Sequence, residues 1–198
     1  MNSMKEKLEQ NGFNVLFAKN RDEALELAKK FIKNSSSIGL GGSTTVVEVG
    51  LYDYLVKHKN IELFNQYEEG ITMEENLNRR RKGLLCDLYI SGCNAITKDG
   101  KLVNADGGGN RVAAQIFGPK KVLLVVGTNK IVDDVEAGFK RIMEVAAVKN
   151  VARINKKLEA MGREVKYHLG NIATKFTSIS SDEKGRTTII LIDEELGY

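Results

Sequence analysis

The run Lys121–Val126 (KVLLVV) constrains the fold more than any other stretch of the sequence. It is apolar without alternation, the pattern of a strand covered on both faces. Such a strand needs helices above and below it, as in a parallel sheet joined by helical crossovers. The rest of the chain supplies both kinds of element. Phe13–Phe17 (FNVLF), Ser36–Leu40 (SSIGL), Ile61–Phe64, Asp87–Ser91 (DLYIS) and Thr187–Ile192 (TTIILI) are strand candidates. Asn20 and Glu23 have the spacing of a helix cap, followed by Ala24, Leu27, Ala28 and Phe31 at helical spacing. Val47, Leu51 and Leu55 space a second helix face. Thr72 with Glu75 opens a helix carrying Leu77, Leu84 and Leu85. Asp133 with Glu136 opens another, through Val135, Phe139 and Ile142 toward Met161, with a break near Asn150. Asn94–Asn104 (NAITKDGKLVN) reads as a β-hairpin turning at Asp99-Gly100. The expected fold is α/β: an open, mostly parallel sheet flanked by helices, with a hairpin near 94–104. A length of 198 residues suits one domain, with 1–35 as a helix-and-strand extension and 162–185 as an irregular insertion.

Thirty basic and 26 acidic residues give a net charge of +4, compatible with an anionic ligand. The strongest basic run, Arg79–Lys82, lies inside a helix without interleaved aromatics. It reads as a solvated face, and no nucleic-acid partner is expected. Cys86 and Cys93 are the only cysteines. With no apolar leader and no run of ~18–20 apolar residues, they suggest reduced thiols in a cytoplasmic protein without a membrane partner. Neither the cysteines nor His58 and His168 have metal-ligand spacing, so no metal or cofactor is expected.

Two glycine-rich segments carry the candidate chemistry. Gly39-Leu40-Gly41-Gly42-Ser43-Thr44-Thr45 follows a strand and opens a helix. Gly41, Gly42, Ser43 and Thr44 there form either an anion cradle of backbone N–H groups or a tight, capped turn. A Walker loop is excluded because no Gly-Lys-Ser/Thr follows. The dinucleotide fingerprint lacks its third glycine, although Glu62 stands near the position of its ribose-binding acid. The second segment is Asn104-Ala105-Asp106-Gly107-Gly108-Gly109-Asn110-Arg111. Asp106 has the chemistry of a general base and Arg111 that of a carboxylate or phosphate clamp. The alternative is that Asp106 and Asn110 satisfy loop backbone while Arg111 pairs with Asp106. Glu48 is an acid–base candidate if its valine neighbours bury it. Asn129 and Lys130 follow the buried strand and belong near the same crevice if the sheet is open and parallel.

The blocks GLGGSTTVVEVGL (39–51) and CNAITKDGKLVNADGGGNRVAAQIFGPKKVLLVVGTNKIV (93–132), with the terminal DEELGY, resemble the lactate-utilisation LUD-domain family, in its YkgG-like group. The likeness weakens over 150–185. It implies a fold similar to ribose-5-phosphate isomerase, glucosamine-phosphate deaminase, CoA transferases and formyltetrahydrofolate cyclo-ligase. It also implies a ligand crevice at strand ends, where Asn94 and Asn104 join the residues above. Some members of the family belong to an iron–sulfur complex that oxidises L-lactate to pyruvate. The resemblance therefore suggests a binder of a small anionic metabolite, in the role of an accessory subunit with iron–sulfur partner proteins. A stand-alone sugar-phosphate or acyl-transfer enzyme and a non-catalytic interaction subunit are the other readings. A homodimer is compatible with all three. Many relatives carry cysteines before the last strand, whereas KYHLGNIATKFTSISSDEKG here has none.

Overall fold

A computed structural model describes residues 2–58 and 60–198. Its strands are β1 (Asn14–Ala18), β2 (Ser37–Leu40), β3 (Glu62–Phe64), β4 (Leu88–Ser91), β5 (Ala95–Thr97), β6 (Leu102–Asp106), β7 (Lys121–Gly127), β8 (Ile131–Val132), β9 (Lys175–Ile179) and β10 (Thr187–Ile192). Its helices are α1 (Asn2–Gln10), α2 (Arg21–Ile32), α3 (Thr44–Glu48), α4 (Leu51–Lys57), α5 (Met73–Lys82), α6 (Asn110–Ile116), α7 (Val135–Arg141), α8 (Ala147–Ala160) and α9 (Leu169–Ile172).

The main sheet has the order β1-β10-β7-β4-β2-β3, and every pairing in it is parallel. The KVLLVV run is β7, between β10 and β4. Leu123 and Val125 pack into one core layer with Ala24, Ala28, Leu51 and Leu55 from the helices. Val122, Leu124 and Val126 pack into the opposite layer with Leu8, Phe13 and Tyr89. All five are at most 1 % exposed, each contributing about 1.5–3 kcal/mol of hydrophobic stabilisation. A second sheet, β8-β5-β6-β9, is built on the antiparallel hairpin β5–β6 and packs against α7, α8 and α9 through Val103, Ala105, Ile142 and Ile172.

The sequence expectations about the fold fail in several places. The described part of the 1–35 segment is integral to the fold, since β1 pairs with β10 along its whole length. The segment 162–185 contains α9 and β9, and β9 pairs with β6; its alternation is weak because β9 is an edge strand with exposed residues. The helix drawn through Val47, Leu51 and Leu55 breaks at Gly50, whose φ of 78° is left-handed. Leu51 and Leu55 are buried, but Val47 is 56 % exposed. The long helix toward Met161 is not interrupted at Asn150; instead Ile142–Ala146 forms a π turn between α7 and α8. Of the described helices, none is long and apolar enough to cross a membrane.

Candidate functional site

The strand order places a crevice before any side chain is considered. From β2 the chain passes outward to β3, and from β4 it passes the other way, toward β7. Ligands of open parallel sheets bind outside the carboxyl ends of strands at such a reversal. Gly41–Thr44 leave β2 there, and Gly92–Asn94 leave β4. A cavity of about 910 Å³ lies at this point. Both glycine segments border it, through Gly41, Gly42, Ser43 and Thr44 on one side and Asp106, Gly107, Gly108 and Asn110 on the other. Asn94, Arg111 and Lys130 also reach it, whereas Glu48, Asn104, Gly109 and Asn129 do not line it. The facing wall is one stripe of α8, in which Ala147, Asn150, Arg153, Ile154 and Lys157 recur at helical spacing. Insertions of the π type are frequent at functional sites, and this one adds Ile142 and Ala146 to the wall.

Arg111 is a structural hub. It is 8 % exposed. Its Nε donates to Asp106 Oδ1 at 3.0 Å, and Nη2 approaches the same oxygen at 2.8 Å. Nη1 donates to Asn104 Oδ1 at 2.7 Å and to Gly92 O at 3.3 Å. Nη2 donates to Asn94 Oδ1 at 2.6 Å and to Ala105 O at 2.8 Å. These contacts engage Nε and both terminal nitrogens within the protein, so Arg111 is not the ligand clamp its position suggests. Asp106 is likewise occupied: Oδ2 accepts the backbone N–H groups of Arg111 and Val112 at 2.9 and 3.1 Å. A carboxylate holding two backbone donors and a guanidinium is a cap and counter-ion, not a free general base. Asn104, fully buried, passes the network on to Gln115 Oε1 at 2.8 Å. Asn94 ties the β4–β5 connection to β6 by accepting from Ala105 N at 3.0 Å. Asn110 donates to the Tyr89 hydroxyl at 3.3 Å.

The first glycine segment is shaped as much by packing as by any ligand. A Cβ on Gly41 would stand 2.6 Å from Ser91 Oγ, and one on Gly42 would stand 2.7 Å from the Tyr67 hydroxyl. Ser43 caps α3, its Oγ accepting from Val46 N at 3.2 Å. With only five residues, α3 supplies little macrodipole, which weakens the cradle expected there. Glu48 is exposed and accepts the Gly197 N–H at 2.7 Å, so its valine neighbours do not bury it as the sequence suggested. Asn129 grips the same tail, donating to Gly197 O and accepting from Leu196 N, both at 3.3 Å.

Lys130 is 2 % exposed, and burial pulls its pKa down to about 8. Its hydrogen bond goes to a hydroxyl, Thr45 Oγ1, at 2.7 Å, and it takes part in no ion pair among the described residues. Cys93 is buried too; desolvation raises its pKa and keeps it a thiol, and Sγ donates to Ala95 O at 2.9 Å.

Sequence reasoning missed the cations that face the cavity from α5 and α8. In the basic run of α5, Arg79 does bind outward, to Glu68 and Glu75. Arg80 turns inward instead: it lines the cavity, and its Nε is buried without a hydrogen-bond partner among the described residues. Beside it, Tyr67 also lines the cavity and keeps 37 % of its surface accessible. The protein packed around its phenol still pushes the pKa up to about 12, so the hydroxyl stays a proton donor. Arg153 is held by the Tyr198 hydroxyl at 2.7 Å and by Asn150 Oδ1 at 2.8 Å. The stripe Asn150, Arg153, Lys157 was visible as periodicity, but nothing local marks which side of a polar helix faces a cavity.

Fold and cavity together define an α/β protein with a large cavity at the carboxyl ends of a parallel sheet. The chain belongs to the LUD domain family, whose model matches residues 1–192. It is similar in fold to the crystal structure of a DUF162 family protein from Deinococcus radiodurans, with a TM-score of 0.53 and 13 % identity over 96 % of this chain and 94 % of that one. No curated protein matches the chain.

Proposed function

We propose that the cavity binds an anionic metabolite carrying a carboxylate or phosphate. The observation that carries this reading is the charge of the wall. Arg80, Lys130, Arg153 and Lys157 line the cavity against two acids, Asp53 and Asp106, and Asp106 is already neutralised by Arg111. Cations left without counter-ions in a concave site focus a positive potential on it. In this reading Gly41–Thr44 and Gly107–Gly108 let the ligand approach the backbone closely, and Asn94 and Asn110 orient its polar groups. The volume, near the top of the ~300–1,000 Å³ range of small-molecule sites, leaves room for more than a three-carbon acid. Family membership makes lactate metabolism the context to test first, with this chain as an accessory subunit beside iron–sulfur partners.

The test is ligand-dependent unfolding with L-lactate, sugar phosphates, CoA and nucleotides. A ligand at ~100 times its dissociation constant adds ~2.7 kcal/mol of stability. Absence of any shift across these anions would overturn the binding reading. Copurification of iron–sulfur proteins with the tagged chain supports the accessory role, and their consistent absence counts against it.

A further inference from the structure

We propose that Lys130 is an imine-forming nucleophile, whose amine condenses with the carbonyl carbon of an aldehyde or 2-oxo acid held in the cavity by its carboxylate or phosphate. This rests on the anion-binding reading and deepens it to a substrate class.

Lys130 follows the buried strand β7 and lines the cavity while 98 % of its surface is covered. An ammonium group so placed ordinarily requires a carboxylate partner. Lys130 has none among the described residues. Its hydrogen bond is to Thr45 Oγ1, and that hydroxyl donates onward to Leu196 O at 3.3 Å. Thr45 therefore accepts from the amine and fixes its direction without stabilising a full charge. Of the titratable groups around it, Arg141 and Arg111 oppose protonation and Glu48 favours it; Cys93 would favour it only as a thiolate, a form that its own burial disfavours, and desolvation is the largest influence. A desolvated lysine near other cations is the arrangement that frees an amine lone pair near neutral pH. The cations of the wall would hold the anionic end of a ligand without competing for its carbonyl.

The step balances without an external oxidant or reductant. The Nζ lone pair attacks the carbonyl carbon and forms a C–N bond. Loss of the carbonyl oxygen with both amine protons, as water, leaves the imine.

The experiment incubates the full chain with glyoxylate, pyruvate or pyridoxal 5′-phosphate, then adds borohydride and maps the reduced adduct by peptide mass spectrometry. The expected result is preferential labelling of Lys130 with at least one of the three. Labelling should rise about tenfold per pH unit below pH 8 and level off above it. A neighbouring anion should protect it, with phosphate as the competitor. Lys130→Met should abolish the adduct and, having lost one of the four wall cations, weaken but not abolish the phosphate-induced shift in melting. Labelling spread over surface lysines, with Lys130 unmodified by all three reagents, overturns the proposal even if anions still bind. Failure of every anion to shift melting overturns the underlying reading instead. Should Lys130→Met not fold, Thr45→Val offers a second variant: it is expected to slow labelling at Lys130 at least tenfold, and an unchanged rate overturns the proposal.

Discussion

At the scale of single residues, two buried cations of the site behave oppositely because their partners differ. Arg111 is compensated by Asp106 and by carbonyl and carboxamide oxygens. Removing it strands a carboxylate that is itself only 10 % exposed. Arg111→Ala is therefore expected to cost about 3–5 kcal/mol in urea unfolding. Loss of anion affinity without loss of stability would contradict the hub assignment. Lys130 has no ion-pair partner among the described residues. Between pH 8 and its ordinary value of 10.5, the unfolded chain binds more protons at this site than the folded one, so stability rises with pH across that window. Below pH 8 the full penalty, about 3 kcal/mol, is present. Lys130→Met should remove it, making the protein more stable than the parent at pH 7 by up to about 3 kcal/mol, with the difference shrinking toward pH 10. Denaturant midpoints at the two pH values would show this, and a pH-independent difference would not fit.

At the scale of elements, the two glycine loops carry different loads. Gly41 packs on β4, where an added Cβ meets Ser91 Oγ at 2.6 Å and Ser91 Cβ at 2.9 Å. Gly41→Ala should lower stability by about 1–3 kcal/mol through overpacking, read from thermal unfolding. Gly108 faces the tip of Arg80, with Nη1 at 3.2 Å from an added Cβ. That tip is flexible, so Gly108→Ala should fold normally and weaken anion binding by shifting the guanidinium. Capping patterns were the most legible elements. Asn20 accepts from Glu23 N at 2.9 Å and Thr72 from Glu75 N at 3.1 Å, because a cap is a contact between residues three apart. For the helix after β8 the cap is Asp134, which accepts from Ala137 N at 2.8 Å, not the Asp133 that spacing suggested. The π turn at 142–146 left no sequence signal; its Ile142 packs in one core cluster with Ala95 and Val103.

At the scale of the whole molecule, the cavity exists because the main sheet, the second sheet and α8 meet. Its charge is contributed by elements distant in sequence. Arg80→Ala removes a guanidinium from the wall whose Nε has no protein hydrogen bond among the described residues. It is expected to leave stability within about 0.5 kcal/mol while weakening anion binding about tenfold, or ~1.4 kcal/mol, measured by titration calorimetry. An unchanged affinity would place the anion elsewhere in the cavity. By itself, the sequence determined the α/β class, the buried central strand, the hairpin at Asp99-Gly100 and the two glycine turns. Each of these is written in local periodicity or in the backbone demands of neighbouring residues. Tertiary structure alone decided that both turns border one cavity, that Arg111 and Asp106 neutralise each other, and that Arg80 turns inward while Arg79 pairs with surface acids. It also left Lys130 buried without a counter-ion among the described residues. Those outcomes depend on which partners the fold brings together, from 4 residues away for Arg79 and Glu75 to 85 for Lys130 and Thr45, and charge and burial are properties of that arrangement, not of any segment.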